Sequence, residues 1–406
     1  MFRIRRSSSA LAALSSAVLM TACNAGNTGP SVGTPPGTPQ QSQARAAQSL
    51  GPLSDGSGYV YVVNFGSGGP SYSNISAYSI DTSGALTQVP GSPFAAGNDP
   101  VGVAIDPNGK FAYVDDAGFK SNTVSGYTID AANGELTSVP GSPFAAGSTP
   151  YYVAIDPSGR FAYVPNVSGS DVSAYKIDRA TGALKPVAGS PFAAGSGPHY
   201  VAVAPNGKFA YVPNASSGDV SVYEINSAGG ALTPIAGSPF AAGGYPEGIA
   251  IDPSGKFAFV ANGNSNNISA YAVDRSSGAL TPVPGSPFAA GSFPLAVAVD
   301  PMGPFVYVAG GDSSVWAYRI KPSGALTQLP GSPFVAGTDP EGVAVDPTGT
   351  FAFVANDASN NVSAYKIDAS TGALVPVAGS PFAAGFGPYG IATCRVKGSR
   401  CKPPPL

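Results

Sequence analysis

The sequence predicts an all-β fold, a seven-bladed β-propeller of four-stranded antiparallel blades. Three observations predict it. First, "GSPFAAG" starts at residues 91, 141, 189, 237, 285 and 379, with "GSPFVAG" at 331, in steps of 46 to 50 residues. Second, each interval holds four short segments of strand character and no sustained helical period, the pattern of a propeller blade. Third, the two ends of the repeat region are complementary fragments of one blade.

Taken in chain order, Arg3, Arg5 and Arg6 precede a short apolar run at 10–20, and "TAC" puts small residues before Cys23. A run this short reads as an export signal rather than a membrane span. Its end resembles a bacterial lipoprotein cleavage box, with Met20 where leucine is usual. The expectation is a lipoprotein signal over 1–22 with Cys23 as the lipidated residue; an ordinary secretory signal cut nearby is the alternative. Residues 23–57 are Gly, Pro, Ser, Thr, Gln and Ala with few large apolar side chains. Such a segment buries too little surface to offset its ordering entropy and reads as a flexible linker.

The propeller is expected over 58–394. Within a unit, "VAID" is the innermost strand, its alternate small residues suiting the crowded axis, and "FAYV" is the second. "DPSGK" and its relatives join them, since Pro presets a turn φ and Gly supplies a positive one. "VSAYKI" is the third strand, and the fourth runs through "ALTPVPG" after a turn such as "DRATGAL". The region opens at "GYVYVVN" (58–64), a second strand, and closes at "PYGIATC" (388–394), a first strand with no partner after it. The last strand therefore joins the N-terminal blade and seals the ring. Residues 395–406 read as a basic, Pro-rich tail, expected to be solvated. Cys394 and Cys401, a close pair in a chain expected to be exported, read as a disulfide.

Charge excludes some functions. Between residues 23 and 393 stand 13 basic against 23 acidic side chains, a poor match for nucleic acid. The same composition implies no membrane contact except through a lipid anchor. One histidine and three cysteines offer no zinc site, no phosphate-binding loop or nucleophile elbow is present, and no cofactor is expected. "DD" at 115–116 breaks the usual "PN" or "AN" of the second strand's end and reads as a solvated acidic turn, with calcium binding as the sharper alternative.

The residues that differ between near-identical repeats are the candidates for function, because packing does not dictate them. The position after each "AAG-x-x-P" stands at the mouth of the central channel. It holds Val101, Tyr151, His199, Glu247, Leu295, Glu341 and Tyr389 in turn, with Asp99, Tyr152, Tyr200, Tyr245, Phe293, Asp339 and Phe386 beside them. A ring of aromatic and acidic groups suits a sugar-like ligand or a cation. His199, the only histidine, would be the base of any catalysis there, with Glu247 and Tyr200 assisting. Tyr151, Tyr152, Tyr245, Asp99, Asp339, Glu341 and Tyr389 are the candidate ligand-binding residues.

At "YVPN", "FAFVAN" and "NVSAYKID…TGAL" the sequence resembles the seven-bladed lactonase-like propellers, which overlap the YVTN repeats, over about 58 to 394. The resemblance implies hydrolysis of sugar lactones such as 6-phosphogluconolactone. Pro198-His199 stands where those enzymes carry "PH" before an innermost strand. Two positions depart from the family's pattern. Glu247 lies one residue earlier than the family's acid, and Gly263 occupies the place of an arginine that would bind a phosphate. The leading expectation is therefore an exported, envelope-anchored, monomeric propeller whose channel-mouth face binds a sugar-like ligand, glycan or protein. The alternative is a lactone hydrolase using His199.

Overall fold

The structure, a computed structural model, describes residues 57–66, 73–118 and 121–404. The signal segment, the Cys23 lipidation site and the linker as far as residue 56 lie outside them. The described chain forms seven antiparallel sheets, each ordered from an innermost strand through a second and third to an outer one. Blades are numbered here from the N-terminus.

Blade 3 illustrates the unit. Ala154–Ile155 is innermost, followed by Phe161–Asn166, Asp171–Ile177 and Leu184–Pro186. Asp156 ties the first hairpin: its Oδ1 accepts from the amides of Arg160 and Phe161, both at 2.7 Å. Gly159 takes the left-handed position of that turn at φ 66°.

The outer strand differs from the single segment expected from the sequence. It is two short pieces, Leu184–Pro186 and Phe192–Ala193, which pair with opposite ends of the third strand. Between them the chain turns a corner at Ser190-Pro191, a cis peptide, and Ser190 Oγ accepts from the Ala174 amide at 2.9 Å. The recurring "GSPF" is this corner. Proline cannot donate to a ladder, so the strand is interrupted there in every blade, each with a cis Ser-Pro.

The core lies between blades. In each, the third-strand tyrosine donates its hydroxyl to a carbonyl on the outer edge of the preceding blade, as Tyr175 does to Ala145 O at 2.6 Å and Tyr223 to Ala193 O at 2.7 Å. Tyr78 in blade 1 reaches Ala383 O of blade 7 at 2.6 Å, so this contact also crosses the closure. Second-strand tyrosines such as Tyr113 and Tyr163 are fully buried and donate to turn carbonyls of the following blade. A buried aromatic whose one polar atom is satisfied contributes apolar burial without a desolvation penalty.

Blade 1 is completed by the C-terminus. Gly58–Asn64 pairs on one side with Asn74–Ile80 and on the other with Pro388–Lys397. The last strand runs past residue 394 and returns as Arg400–Lys402, with Arg395 opposite Lys402. The segment expected to be a solvated tail is thus an extra hairpin on the sheet. Cys394 and Cys401 are bonded across it, and the Cys401 amide donates to Gly109 O at 3.1 Å. Arg395 pairs with the buried Asp346 of blade 7 at 2.8 Å.

Candidate active site at the channel mouth

Every blade enters its innermost strand through a residue with left-handed backbone just before the proline. That residue is Asp99, Thr149, Tyr245, Phe293 or Asp339 in five entries, at φ between 47° and 58°, and Gly197 or Gly387 in the other two, at 67°. The kink aims the residue after the proline across the axis. Blades 3 and 4 carry a second irregularity. Their innermost ladders shrink to two residues, Ala154–Ile155 and Ala202–Val203, where blades 2, 5, 6 and 7 have six. Tyr151-Tyr152 and His199-Tyr200 lie in the shortened stretches, where the Tyr151 and His199 amides still donate to Pro165 O at 2.9 Å and Pro213 O at 3.1 Å. Tyr152 sits at φ 57°, a conformation that costs a large side chain about 1 kcal/mol or more and is concentrated at functional sites.

These residues converge. Tyr151, Tyr152, His199, Tyr200, Glu247, Glu341 and Tyr389, with Leu295, line one cavity. His199 and Glu247 are both buried, and His199 Nδ1 lies 3.0 Å from Glu247 Oε1. A carboxylate can only accept, so this bond places a proton on Nδ1, and in the neutral form of the ring the lone pair is then on Nε2. The Tyr151 ring packs on His199 with centroids 4.8 Å apart, and Tyr245 meets it edge-on at 5.4 Å. Tyr152 and Tyr200 stack at 3.8 Å, and the hydroxyls of Tyr151 and Tyr389 are hydrogen-bonded to each other. The remaining cavity is about 10 Å³, room for one water.

The electrostatics are one-sided. Burial raises the Tyr151, Tyr152 and Tyr389 hydroxyls well above the ordinary phenol range, with Glu341 adding to all three. Burial pushes Tyr245 up to about 12. These groups are neutral hydrogen-bond donors at any physiological pH. Glu341 is also raised well above the carboxylate range, by burial first and then by Asp339, Glu247 and Asp357. No lysine or arginine is among the residues that line the cavity.

Other candidates fall outside this cluster. Asp99 does not line the cavity; its backbone amide is held by Ser73 Oγ at 3.1 Å on the rim. Asp339 stands at the edge, its carboxylate within 4.8 Å of those of Glu341 and Asp357. The three oxygens are close enough to share a hard cation. Asp357 escaped the sequence reading. It follows Asn356 at the second strand's end, the position that holds Gly263 in blade 5, and its only signal was acidity where other blades carry Phe65, Ala117, Val167, Ala215 or Gly311.

The reading of Asp115-Asp116 as a solvated turn is corrected. Both are fully buried on the second strand. Asp116 takes the place of the asparagine that closes this strand in other blades, accepting from Thr123 and Ser125 hydroxyls and from the Gly97 amide. Its oxygens hold protein donors rather than solvent or calcium.

Comparison with known proteins agrees with this architecture. The family model described as lactonase, seven-bladed beta-propeller, matches residues 53–313 and 283–385. No curated protein gives a sequence match. Among solved structures, a putative 6-phosphogluconolactonase from Bacteroides uniformis superposes with a TM-score of 0.73 at 20% identity, covering 84% of this chain and 100% of its own. A similar structure from Bacteroides fragilis, also of a putative 6-phosphogluconolactonase, has a TM-score of 0.73 at 20% identity over 84% and 98%. The periplasmic gluconolactonase PpgL of Pseudomonas aeruginosa superposes at 0.70 with 20% identity over 84% and 100%. At that identity the likenesses speak for the fold.

Proposed function

Because the chain belongs to the seven-bladed β-propeller lactonase family, we propose that it opens a lactone ring at the channel mouth, with His199 as general base. The observation that carries this reading is the buried His199–Glu247 pair at 3.0 Å inside a wall of neutral tyrosines. Nε2 takes a proton from water as the water oxygen bonds to the lactone carbonyl carbon and the C=O pair moves onto oxygen. Collapse of that adduct breaks the ring C–O bond, and the imidazolium returns its proton to the departing alkoxide, giving an open hydroxy acid. Glu247 holds the ring in the tautomer that exposes Nε2 and offsets the charge it acquires. The tyrosine hydroxyls are the donors suited to the developing oxyanion.

The substrate class follows from charge. No lysine or arginine lines the site, and its acidic side chains offer a phosphate nothing to pair with, so a phosphorylated lactone would enter without a compensating cation. Gly263 has no side chain, and the Phe293 ring lies 3.2 Å from where its Cβ would stand. Phe293 and Tyr245, 5.7 Å apart, continue the aromatic surface outward from His199. An uncharged sugar lactone stacking on that surface fits this arrangement. The similar Pseudomonas structure, a periplasmic gluconolactonase, points the same way. It also accords with export and lipid anchoring at Cys23, which we include in the proposal.

A binding-scaffold reading draws on one observation, the closed mouth. A cavity of about 10 Å³ does not admit a sugar ring until the bonded Tyr151 and Tyr389 part. One experiment separates the two. Hydrolysis of gluconolactone, its 6-phosphate and a neutral aliphatic lactone is followed for the wild type and His199→Ala. The lactonase reading expects turnover of the uncharged sugar lactone that falls by about 100-fold or more in the variant. Saturable binding of the sugar without turnover would transfer the site to the scaffold reading.

A further inference from the structure

The second-to-last residue of the second strand is apolar in six blades: Val63, Pro165, Pro213, Ala261, Ala309 and Ala355. In blade 2 it is Asp115, fully buried. Nothing in the repeat's packing asks for a carboxyl there, and a buried acid costs stability unless its bonds are made. One bond is made: Asp115 Oδ1 accepts from the Gly102 amide at 2.8 Å. The other oxygen, Oδ2, has no hydrogen-bond partner. A buried acid in an apolar slot, half satisfied, calls for a role outside blade packing.

Its surroundings supply one. Pairing between the innermost and second strands of blade 2 slips between Pro100 and Val103, so Gly102 lies in a bulge and its amide is outside the ladder. Asp115 caps that amide. The bulge in turn supports Tyr152: a Cβ on Gly102 would stand 2.7 Å from both Tyr152 Cα and its ring, and 2.8 Å from Asp115 Oδ1. Tyr152 is the residue with left-handed backbone that stacks on Tyr200 at 3.8 Å and lies edge-on to Tyr151 at 5.7 Å. Tyr151 packs on His199. Glycine at 102 lets the two backbones touch, and the carboxyl beneath keeps the contact in register.

We infer that Asp115 is a positioning residue: through the Gly102 bulge it fixes Tyr152, and through Tyr152 it sets the tyrosine wall that shapes the substrate pocket beside His199. It touches neither substrate nor His199. Burial, reinforced by Asp116, holds its carboxyl well above the usual range, so the acid acts as a neutral hydrogen-bonding group and an amide can replace it. The role in catalysis rests on the lactonase reading, whereas the geometric role does not.

The test compares full-length wild type, Asp115→Ala and Asp115→Asn by near-UV circular dichroism, melting temperature, and kcat and KM on gluconolactone. The alanine variant is expected to lose a substantial part of the near-UV tyrosine signal and to raise KM about 5- to 20-fold with kcat within about threefold, the pattern of lost ground-state positioning. The asparagine variant is expected to restore both to within about twofold, because it keeps the acceptor for Gly102. Should Asp115→Ala not fold, Asp115→Val, the residue type of blade 1 at that place, is read instead. A wild-type near-UV spectrum and KM in the alanine or valine variant would overturn the proposal, whether or not the melting temperature fell. A wild type inactive on all lactones would sink the lactonase reading alone. The near-UV comparison of alanine with asparagine would still decide the role of Asp115.

Discussion

Asp116 shows how far one side chain can depart from its repeat. Five other blades close the second strand with asparagine, whose amide donates to a third-strand serine, as Asn166 does to Ser173 at 2.9 Å and Asn214 to Ser221 at 2.9 Å. Asp116 accepts from Ser125 instead, so the serine hydroxyl is turned round. Burial raises its pKa to about 6 from 3.8, against the opposing hydrogen bonds. The folded state therefore binds more protons than the unfolded one between these values, and stability falls as pH rises through them. Asp116→Asn removes that loss while the serine hydroxyl rotates to accept. The variant should gain on the wild type by up to about 3 kcal/mol at about pH 7, with the gap closing toward about pH 4, in denaturant titrations. An equal gap at both ends would mean that the carboxyl is not perturbed by burial. At this scale the sequence exposed the site through contrast: His199 and Glu247 differ from their counterparts in a copied scaffold. Asp115 and Asp116 differed just as plainly but were placed wrongly. The sequence shows that a residue is unusual and not whether its environment is water or protein.

Strand identity was legible from the "FAYV" and "VSAYKI" patterns, short runs of β-branched and aromatic residues that suit strands buried on both faces between neighbouring blades. The broken outer strand was not: the fourth strand was expected through the "ALTPVPG" segment alone, and nothing in the sequence marked Phe192–Ala193 as a second piece pairing with the third strand. What breaks it is the corner at Ser190-Pro191, where the serine hydroxyl bonds the third strand. The turn before it is a packing device as well as a loop. Gly182 sits at φ 80°, and a Cβ there would lie 2.6 Å from the Phe111 ring of the preceding blade. The same contact joins Gly230 to Phe161 and, across the closure, Gly84 to Phe351. The "T-G-A-L" glycine is thus required twice, for its backbone conformation and for the ring above it. Gly182→Ala should destabilise by about 2 kcal/mol or more, since strained backbone and overpacking add. Gly398, also left-handed at φ 60° but with nothing near its Cβ position, is the control. Gly398→Ala should cost about 1 kcal/mol, the backbone part alone. Equal melting temperatures for the two variants would remove the interblade packing from the account.

For the whole molecule, the blade count and the seam were readable because strand order is arithmetic: seven second strands, with the first strand of blade 1 found only at the far end. The reinforcement of the seam was not. It depends on residues 395–402 continuing the sheet, which a basic, Pro-rich composition conceals. Two kinds of contact join the ends, and two more anchor the last strand. These are the ladder between Gly58–Asn64 and Pro388–Lys397, the hydroxyl of Tyr78 on Ala383 O, the Arg395–Asp346 pair and the hairpin closed by Cys394–Cys401. They differ in kind, so removing them one at a time separates closure from its reinforcement. Cys394→Ser with Cys401→Ser releases only a short loop and should lower stability by about 2–3 kcal/mol while leaving a folded monomer. Deleting 388–406 exposes the inner edge of blade 1 along Gly58–Asn64, a run buried at every position, and also strips Tyr389 from the site. An uncovered apolar edge of that kind pairs with other chains, so the truncated protein should aggregate or unfold rather than melt a few degrees lower. A truncated monomer with the wild-type melting temperature would show that the ring stands without its seam, and blade-to-blade packing alone would then have to account for the fold.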